Sequence, residues 1–295
     1  CFFLILLWVP LATVAFAESP PQDHLTKSAT LEHDLFDGNQ IRNWIDNTGH
    51  WVTHNATGDA GLEWPSGSNN TAVFAAGLWV VGMVDSSIRS AATEFTSEWS
   101  PGPINYDTVT QTPHSPISQD PADQIYMIRK GDSSDPRSSN FNREYRDWPA
   151  SQGAPANDGE YFTEIIENGH WDPSESYTDF NMNNRYDGPD GAFVTGEDPP
   201  RFIGETMAWY VMNDFVVESH YNLWNTKPLG LEAQVLIYTR SDEPIFENVQ
   251  FRQVTLVNKS GGTIHDAYYG YWCDSDLGDA NDDYVGCDTT LSLRY

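Results

Sequence analysis

The chain has 295 residues, with 43 acidic and 15 basic side chains, and its formal net charge at pH 7 is −28. This excess of negative charge argues against DNA or RNA binding, because few cationic groups are available to neutralise phosphates. It also argues against attachment to an anionic membrane surface. A chain of this length can bury a substantial core, either as one large domain or as two ordinary ones.

Residues 1–17 are predicted to be a secretory signal peptide that lacks its basic n-region. Residues 2–12 are nearly all apolar, and Ala15-Phe16-Ala17 has the small-x-small pattern of a cleavage site. The apolar run is shorter than the ~20 residues that a transmembrane helix needs. The sequence therefore predicts a secreted or cell-surface protein with no transmembrane segment.

The predicted elements begin after a polar, proline-containing leader at 18–34, and a β-rich domain is expected over 35–295. Closely spaced turn residues between short apolar runs predict β structure as far as Trp64. Residues 72–84 are the most apolar stretch and predict a buried strand pair or one long strand. A turn at Asp85 and a strand over 88–92 follow, so we expect a β-hairpin at the core of the fold.

Residues 97–160 are rich in Pro, Ser, Asp, Asn and Gly, and only 124–129 is predicted as a strand. Such a long irregular stretch inside a domain is unusual. It is either a surface loop held by aromatic residues such as Trp99 and Trp148, or the boundary between two subdomains, 35–160 and 161–295. The aromatic residues favour an ordered loop, since disordered segments contain few of them.

The C-terminal half contains four predicted strands. They cover 207–212, for which a short helix is the alternative, 231–239, 245–257 and 263–272. In the third strand the apolar residues change phase, which predicts a β-bulge near Arg252. The last two strands flank a loop with two glycines, a pattern typical of a β-hairpin, and 291–295 resembles an unfinished strand. The whole pattern predicts a mostly β, sandwich-like fold with long irregular loops and few short helices.

The strongest functional motif is the stretch from Asp179 to Asp190, which has the ligand spacing of a calcium loop. Side-chain oxygens fall at its positions 1, 3, 5, 9 and 12, and a backbone carbonyl is expected to join them from position 7. The predicted ligands are Asp179, Asn181, Asn183, Arg185 (through its carbonyl), Asp187 and Asp190. Prolines around the loop leave little room for EF-hand helices, so we expect a bare loop that staples the fold through calcium. The alternative is a solvated Asn/Asp loop.

A second, weaker metal candidate lies in the acidic run between Cys273 and Asp288. Its carboxylates would repel one another unless they are well solvated or share a cation. The candidate ligands are Asp274, Asp276, Asp279, Asp282 and Asp283. The alternative is a solvated hairpin tip. The two flanking cysteines, Cys273 and Cys287, could form a disulfide in an oxidising compartment, or could be two small buried side chains.

The remaining motifs are weaker indications of function. His50 and His54 have a spacing that suits zinc on a helix, but the residues between them favour a strand and no third ligand is evident. The many aromatic residues would suit sugar stacking or, more simply, core packing. Possible members of a glycosidase carboxylate pair are Glu160, Glu164, Glu167 and Glu205. The sequence contains no phosphate-binding loop, no nucleophile elbow and no Cys-x-x-Cys motif.

Several stretches together resemble a group of long, largely uncharacterised secreted bacterial surface proteins, many of which end in a type IX secretion sorting domain. The resemblance spans roughly residues 35–290 and rests on Ala72–Gly82, Arg89–Thr93, Pro101–Pro103, Asp147–Pro149, Gln152–Pro155, the loop from Asp179, Phe202–Thr206, Asn258–Gly261 and Asp276–Thr290. It implies export and further domains in a longer parent chain, and it implies no particular reaction.

The sequence therefore predicts a secreted or cell-surface, calcium-stabilised β module with a structural or adhesive role. The expected partners are a glycan or another cell-surface molecule and further domains of the same parent chain. The alternative is a carbohydrate-active enzyme or glycan-binding module.

Overall fold

The computed structural model describes residues 31–54, 57–106, 113–114, 124–134, 137–149, 153–156, 200–277, 284, 286–291 and 293–294. The strands are β1 (His33–Phe36), β2 (Arg42–Asp46), β3 (His50–Trp51), β4 (Thr53–His54), β5 (Asp59–Ala60), β6 (Leu62–Glu63), β7 (Thr71–Val84), β8 (Ser87–Ala92), β9 (Ser100–Pro101), β10 (Asn105–Tyr106), β11 (Pro113–His114), β12 (Tyr126–Arg129), β13 (Thr206–Asn213), β14 (Leu231–Thr239), β15 (Gln250–Asn258), β16 (His265–Ser275), β17 (Cys287–Asp288) and β18 (Leu293–Arg294). Helix α1 covers Arg143–Arg146, and 3₁₀-helices cover Val217–Asn222 and Pro244–Phe246. The predicted mostly β fold with few short helices is confirmed.

The first sheet has seven strands and is built around β7. Its order is β1-β2-β3-β7-β16, with β6 bridging β2 and β7 and with β8 paired to the second half of β7. The predicted core hairpin is confirmed as β7 and β8, and β7 is one long strand rather than two. Its turn residues, Asp85 and Ser86, both have positive φ, as a type I′ turn requires for matching the strand twist.

The second sheet has five strands in the order β12-β13-β14-β15, with β9 paired to the end of β13. Strand β14 has the predicted bounds, and the predicted strands at 124–129 and 207–212 are present as β12 and β13. All eight residues of β13 are buried. Both faces of the sheet are therefore covered at this central strand.

The main core lies between the two sheets. It joins inward side chains of the first sheet, such as Leu78 and Val80, to those of the second, such as Tyr210, Val235 and Ile237. Alternating inward residues from two antiparallel sheets are the usual interior of a β-sandwich. The predicted sandwich-like architecture is thereby confirmed.

A smaller core covers the other face of the second sheet. There Trp148, Ala154 and Ala156 pack against Trp209 and Leu236. Trp148 is fully buried and its Nε1 donates to the carbonyl of Pro155 at 2.9 Å. Trp99 is also buried, but in the main core. These described parts of the 97–160 stretch are therefore held by buried aromatic residues.

Two predictions around β15 are wrong. The strand does not begin at Ile245, because 244–246 forms a 3₁₀-helix and β15 starts at Gln250. Its register against β14 runs without a break from Gln250 to Asn258, so the predicted bulge near Arg252 is absent. The apolar pattern changes phase for another reason: Arg252 itself faces the core and packs against Trp51 and Tyr271.

The predicted hairpin between the last two strands is also wrong. β15 pairs with β14 in the second sheet, whereas β16 pairs with β7 in the first. The glycine-containing loop after Asn258 therefore crosses from one sheet to the other. The Asn258 side chain accepts from the amide and hydroxyl of Ser260, which folds the loop tightly.

At the ends of the described chain, β1 begins at His33, two residues before the predicted start of ordered structure. The short strand predicted at 291–295 corresponds to β18, which pairs with β17. The predicted signal peptide at 1–17 and most of the leader lie outside the described residues.

Candidate functional site

The predicted calcium loop, Asp179 to Asp190, lies outside the described residues. Within the ranges that the structure describes, no group of three or more His, Cys, Asp or Glu side chains is arranged to hold a metal ion. Both calcium candidates therefore remain predictions.

Part of the second acidic run is described. Asp274 lies in β16 opposite Ala75, and the backbone N–H of Asp276 donates to the carbonyl of Ala72 at 3.2 Å. Asp279, Asp282 and Asp283 lie outside the described residues. Cys273 is half-buried and Cys287 is exposed, and no disulfide joins them.

The two histidines considered for zinc make separate contacts. His50 Nδ1 lies 2.8 Å from Asp46 Oδ2, whereas the His54 ring packs edge-on against Trp44 with 4.4 Å between ring centroids. Of the four glutamates considered for a glycosidase pair, only Glu205 is described. It forms a surface ion pair with Lys130 at 3.0 Å.

A surface that the sequence did not single out lies on the outward side of the first sheet. Leu78 and Val80 point into the core, so Trp79 between them points outward. In the same way Trp272 points outward between Tyr271 and Cys273, which pack on the core. We call the resulting surface the aromatic face, and its members are Phe74, Trp79, Phe95, Trp224 and Trp272.

Ring contacts divide the aromatic face into two groups. Phe95 contacts both Trp272, with 4.9 Å between centroids, and Phe74, at 6.0 Å. Trp224 contacts Trp79 at 5.7 Å. All three pairs are edge-to-face, which is a favourable geometry for aromatic rings. Phe95 and Trp224 remain 58% and 52% exposed, so a large part of this apolar surface meets solvent.

The two groups are joined through the pairing of β7 with β16. Trp79 lies opposite Gly270, and Trp272 lies opposite Gly77. The two tryptophans are therefore diagonal neighbours, for which the separation is about 7–8 Å. Across this strand pair a glycine stands opposite each indole, and on its other side Trp79 lies opposite only the small side chain of Ala92 in β8.

A buried carboxylate fixes the loop that carries Trp224. Glu98 is fully buried, and its Oε1 accepts from the backbone N–H of Trp224 at 2.9 Å. Its Oε2 accepts from the hydroxyl of Ser90 at 3.0 Å, and Ser90 in turn contacts the hydroxyl of Thr226. Burial raises the pKa of Glu98, although these hydrogen bonds oppose the rise. The loop is thus held at two points, by Ser90 in β8 and by Glu98 in the connection between β8 and β9.

The base of the same loop is held by Asp214, which is also fully buried. Its carboxylate accepts from the backbone N–H groups of Leu229 and Leu231 at 2.5 and 2.6 Å. His220 Nε2 donates to the Asp214 carbonyl at 2.7 Å. Burial raises the pKa of Asp214 to about 7, against the lowering effect of the backbone donors. These contacts join the two ends of segment 214–231.

A separate acidic cleft of about 610 Å³ lies between the start of β1, β12 and α1. Its acidic lining residues are Glu32, Asp34, Glu144 and Asp147. The pKa of Glu144 is raised to about 7, mainly by burial and to a smaller extent by the charges of Asp34 and Glu32, against the opposing effect of the Met127 N–H. Glu144 can therefore bind a proton near neutral pH.

Comparison with known proteins gives no relative. The chain matches no family model, and no curated protein or solved structure is significantly similar to it. In the part of the chain that is described, no helix combines the length and the apolar character that a membrane crossing requires.

The candidate functional residues missed by the sequence analysis are those of the aromatic face and its support, above all Trp224, Phe95, Glu98 and Asp214. The available signal was weak. Both outward tryptophans of β7 and β16 stand close to glycines in the sequence, but only the strand register shows that each tryptophan faces a glycine.

Proposed function

We propose that this chain is an adhesive β-sandwich module of an exported or cell-surface protein, and that it binds uncharged glycan chains through the aromatic face. The observation that carries the proposal is the exposure of Phe95 and Trp224 beside the outward tryptophans of β7 and β16. Contiguous exposed aromatic surface is costly in water and commonly marks an interaction site.

Sugars suit this surface chemically. The C–H groups on one side of a pyranose ring pack against an aromatic ring, while its hydroxyl groups stay hydrated at the edges. Several rings spread over neighbouring strands offer stacking positions to successive sugars of one chain. Tryptophan supplies a large rigid contact area for this purpose.

The charge of the chain selects among glycans. A formal charge of −28 repels anionic polymers, including uronic acid-rich and sulfated chains. Within the aromatic face itself, all five side chains are uncharged. Neutral polysaccharides are therefore the ligand class that this surface accepts with the least electrostatic cost.

Calcium belongs to the proposal as a stabiliser rather than as part of the binding surface. The loop from Asp179 to Asp190 would hold the ion with the six ligands named above, and thereby fix a long polar connection that has little apolar material of its own. The ligand spacing and the acidic composition support this role.

Binding of soluble neutral polysaccharides, such as β-glucan and xylan, tests the proposal by isothermal titration calorimetry. Trp224→Ala and Trp272→Ala should each weaken binding about tenfold, which corresponds to about 1.4 kcal/mol. Ile245→Ala is the matched control, since Ile245 is 79% exposed on the 3₁₀-helix between β14 and β15. A broad neutral-glycan array without a hit would reject the proposal, as would binding that both tryptophan variants retain in full.

The acidic cleft favours a second candidate function, a carbohydrate-active enzyme. Glycoside hydrolysis uses a pair of carboxyl groups, one of which acts as an acid, and the cleft places Glu144, whose pKa is raised to about 7, beside the carboxyl groups of Glu32 and Asp34. Reducing-sugar release from the same polysaccharides would be abolished by Glu144→Gln. If the unmodified protein releases no sugar, this candidate is excluded for the substrates tested.

A further inference from the structure

Arg252 is a cationic side chain placed inside the sandwich. It lies in β15 opposite Ile237, and its neighbour two positions on, Val254, belongs to the main core. Only 8% of Arg252 is exposed. Charged side chains are rarely buried to this extent unless their charge and their hydrogen-bond donors are matched by partners.

The guanidinium is held between aromatic rings of the opposite sheet. Its Cζ atom lies 5.3 Å from the ring centroid of Trp51 and 5.6 Å from that of Tyr271. Both distances are within the range of a cation–π contact, which offsets part of the cost of burial. On its own sheet, Nη2 of Arg252 donates to the hydroxyl of Tyr210.

These contacts do not satisfy all the hydrogen-bond donors of Arg252. Nε and Nη1 of Arg252 are buried and, among the described residues, donate to no hydrogen-bond acceptor; the buried hydroxyl of Tyr271 likewise has no hydrogen-bond partner there. Native interiors satisfy nearly all such groups, and an unsatisfied charged donor is more costly than a neutral one. The position therefore has hydrogen-bonding capacity for a further group that accepts from N–H and O–H.

The ionisable side chains near Arg252 determine which charge the missing acceptor should carry. Asp46 is fully buried and contributes a favourable charge interaction to Arg252. The same carboxylate is already engaged by His50, at 2.8 Å, and by the amide and hydroxyl of Thr48. Burial lowers the pKa of His50, but the hydrogen bond and charge of Asp46 outweigh this and raise it. When His50 is protonated, the cluster of Asp46, His50 and Arg252 carries one net positive charge.

We propose that the buried guanidinium of Arg252, together with the Tyr271 hydroxyl, forms a binding site for a small monovalent anion of the chloride class. With His50 protonated, a single negative charge neutralises the cluster, whereas a divalent anion would leave an uncompensated charge in the interior. Since Arg252 belongs to the second sheet and Tyr271 to the first, the anion links the two sheets across the core. This site is independent of the proposed glycan binding.

Thermal unfolding in sodium chloride and in sodium gluconate at equal ionic strength tests the proposal, because general screening is then the same in both salts. The melting temperature should rise with chloride and then follow the logarithmic dependence of a ligand that binds only the folded state. Arg252→Met should remove the chloride dependence. Arg240→Met should keep it, since Arg240 is a surface residue that pairs with Asp242. Equal melting temperatures of the unmodified protein in both salts would overturn the proposal.

Crystals soaked in bromide provide a measurement that does not depend on any variant's folding. An anomalous peak beside Nε and Nη1 of Arg252 in the unmodified protein is the expected result. Ordered water at that position without an anomalous peak would show that solvent alone satisfies the donors, and would overturn the anion site.

Discussion

The Oε1 atom of Glu98 lies 2.9 Å from the backbone nitrogen of Trp224, so a carboxylate buried beneath the first sheet's surface fixes an exposed tryptophan from a distant loop. The two residues are 126 positions apart in the chain. The aromatic face is therefore assembled by a polar contact as well as by the packing of rings. Residue 98 must therefore carry a side chain that accepts a hydrogen bond at this position.

Replacing Glu98 by Ala should destabilise the protein by about 1.5–3 kcal/mol, because hydrogen bonds to a charged acceptor are lost and their donors stay buried. The 215–229 loop should also lose protection against amide hydrogen exchange, most clearly at Trp224. Glu98→Gln is the matched control, since its side-chain oxygen can still accept from the Trp224 N–H. Unchanged exchange at Trp224 in the Ala variant would contradict this role for Glu98.

The acidic cleft should make stability depend on pH. The ordinary pKa of a glutamate is about 4.5, and that of Glu144 in the folded protein is raised to about 7. Between these values the folded state binds the proton and the unfolded state does not, so stability falls as pH rises across this window. Asp214, whose pKa is likewise about 7, contributes in the same direction.

Glu144→Gln should reduce the loss of stability between pH 4.5 and pH 7, because glutamine has no charge to bury and its oxygen can still accept from Met127. The variant should therefore melt above the unmodified protein at pH 8, and the difference should shrink at pH 4.5. Thermal unfolding at a series of pH values measures both. Glu243→Gln, at an exposed position, is the control. An identical shift at pH 4.5 and pH 8 would rule out the proposed titration.

The two glycines opposite the outward tryptophans should differ in their tolerance of a side chain. A Cβ atom at Gly77 would lie 2.4 Å from the carbonyl oxygen of Thr93, whereas at Gly270 it would meet nothing within 4 Å. Gly77→Ala should therefore destabilise the protein by about 1–3 kcal/mol through overpacking. Gly270→Ala should be neutral or stabilising by up to about 1 kcal/mol, because it restricts the unfolded chain. Chemical denaturation measures the free energy of unfolding of both variants. If Gly77→Ala is no less stable than Gly270→Ala, the backbone can move away from residue 77 and the predicted overpacking is wrong.

Removal of calcium should lower the melting temperature if the loop from Asp179 to Asp190 binds the ion. Differential scanning calorimetry with added calcium and with a chelator measures the effect, which should disappear in Asp179→Ala. Asp242→Ala removes an acidic side chain from a surface position and is the control. A melting temperature unaffected by the chelator would reject calcium as a stabiliser.

Much of the fold follows from local pattern. The bounds of β14 could be predicted because its apolar residues alternate and then run together from Val235 to Tyr238, between Gly230 and the polar turn after Thr239. β15 shows where pattern fails. Gln250 and Arg252 are polar but face the core, so the apparent change of phase suggested a bulge that the register does not contain. A buried arginine that is held by rings of another sheet cannot be recognised from its neighbours in sequence.

The aromatic face could not be predicted for a related reason. Trp79 and Trp272 come together only because β16 crosses to the first sheet, and the loop before it resembles an ordinary hairpin turn. Trp224 joins them through Glu98, which the sequence does not distinguish from a surface glutamate. Sequence pattern captures strands well, but it does not capture which strands become neighbours.

The crossing after β15 also has a consequence for how the protein folds during synthesis. β7 leaves the ribosome early, whereas β16, its most extensive partner, follows only after all strands of the second sheet. β7, the longest strand described, therefore remains partly unpaired while the second sheet is synthesised. Pairing of this non-local kind is slow, and exposed apolar strands are open to aggregation in the meantime. The nascent chain should accordingly depend on chaperones until residue 275 has emerged.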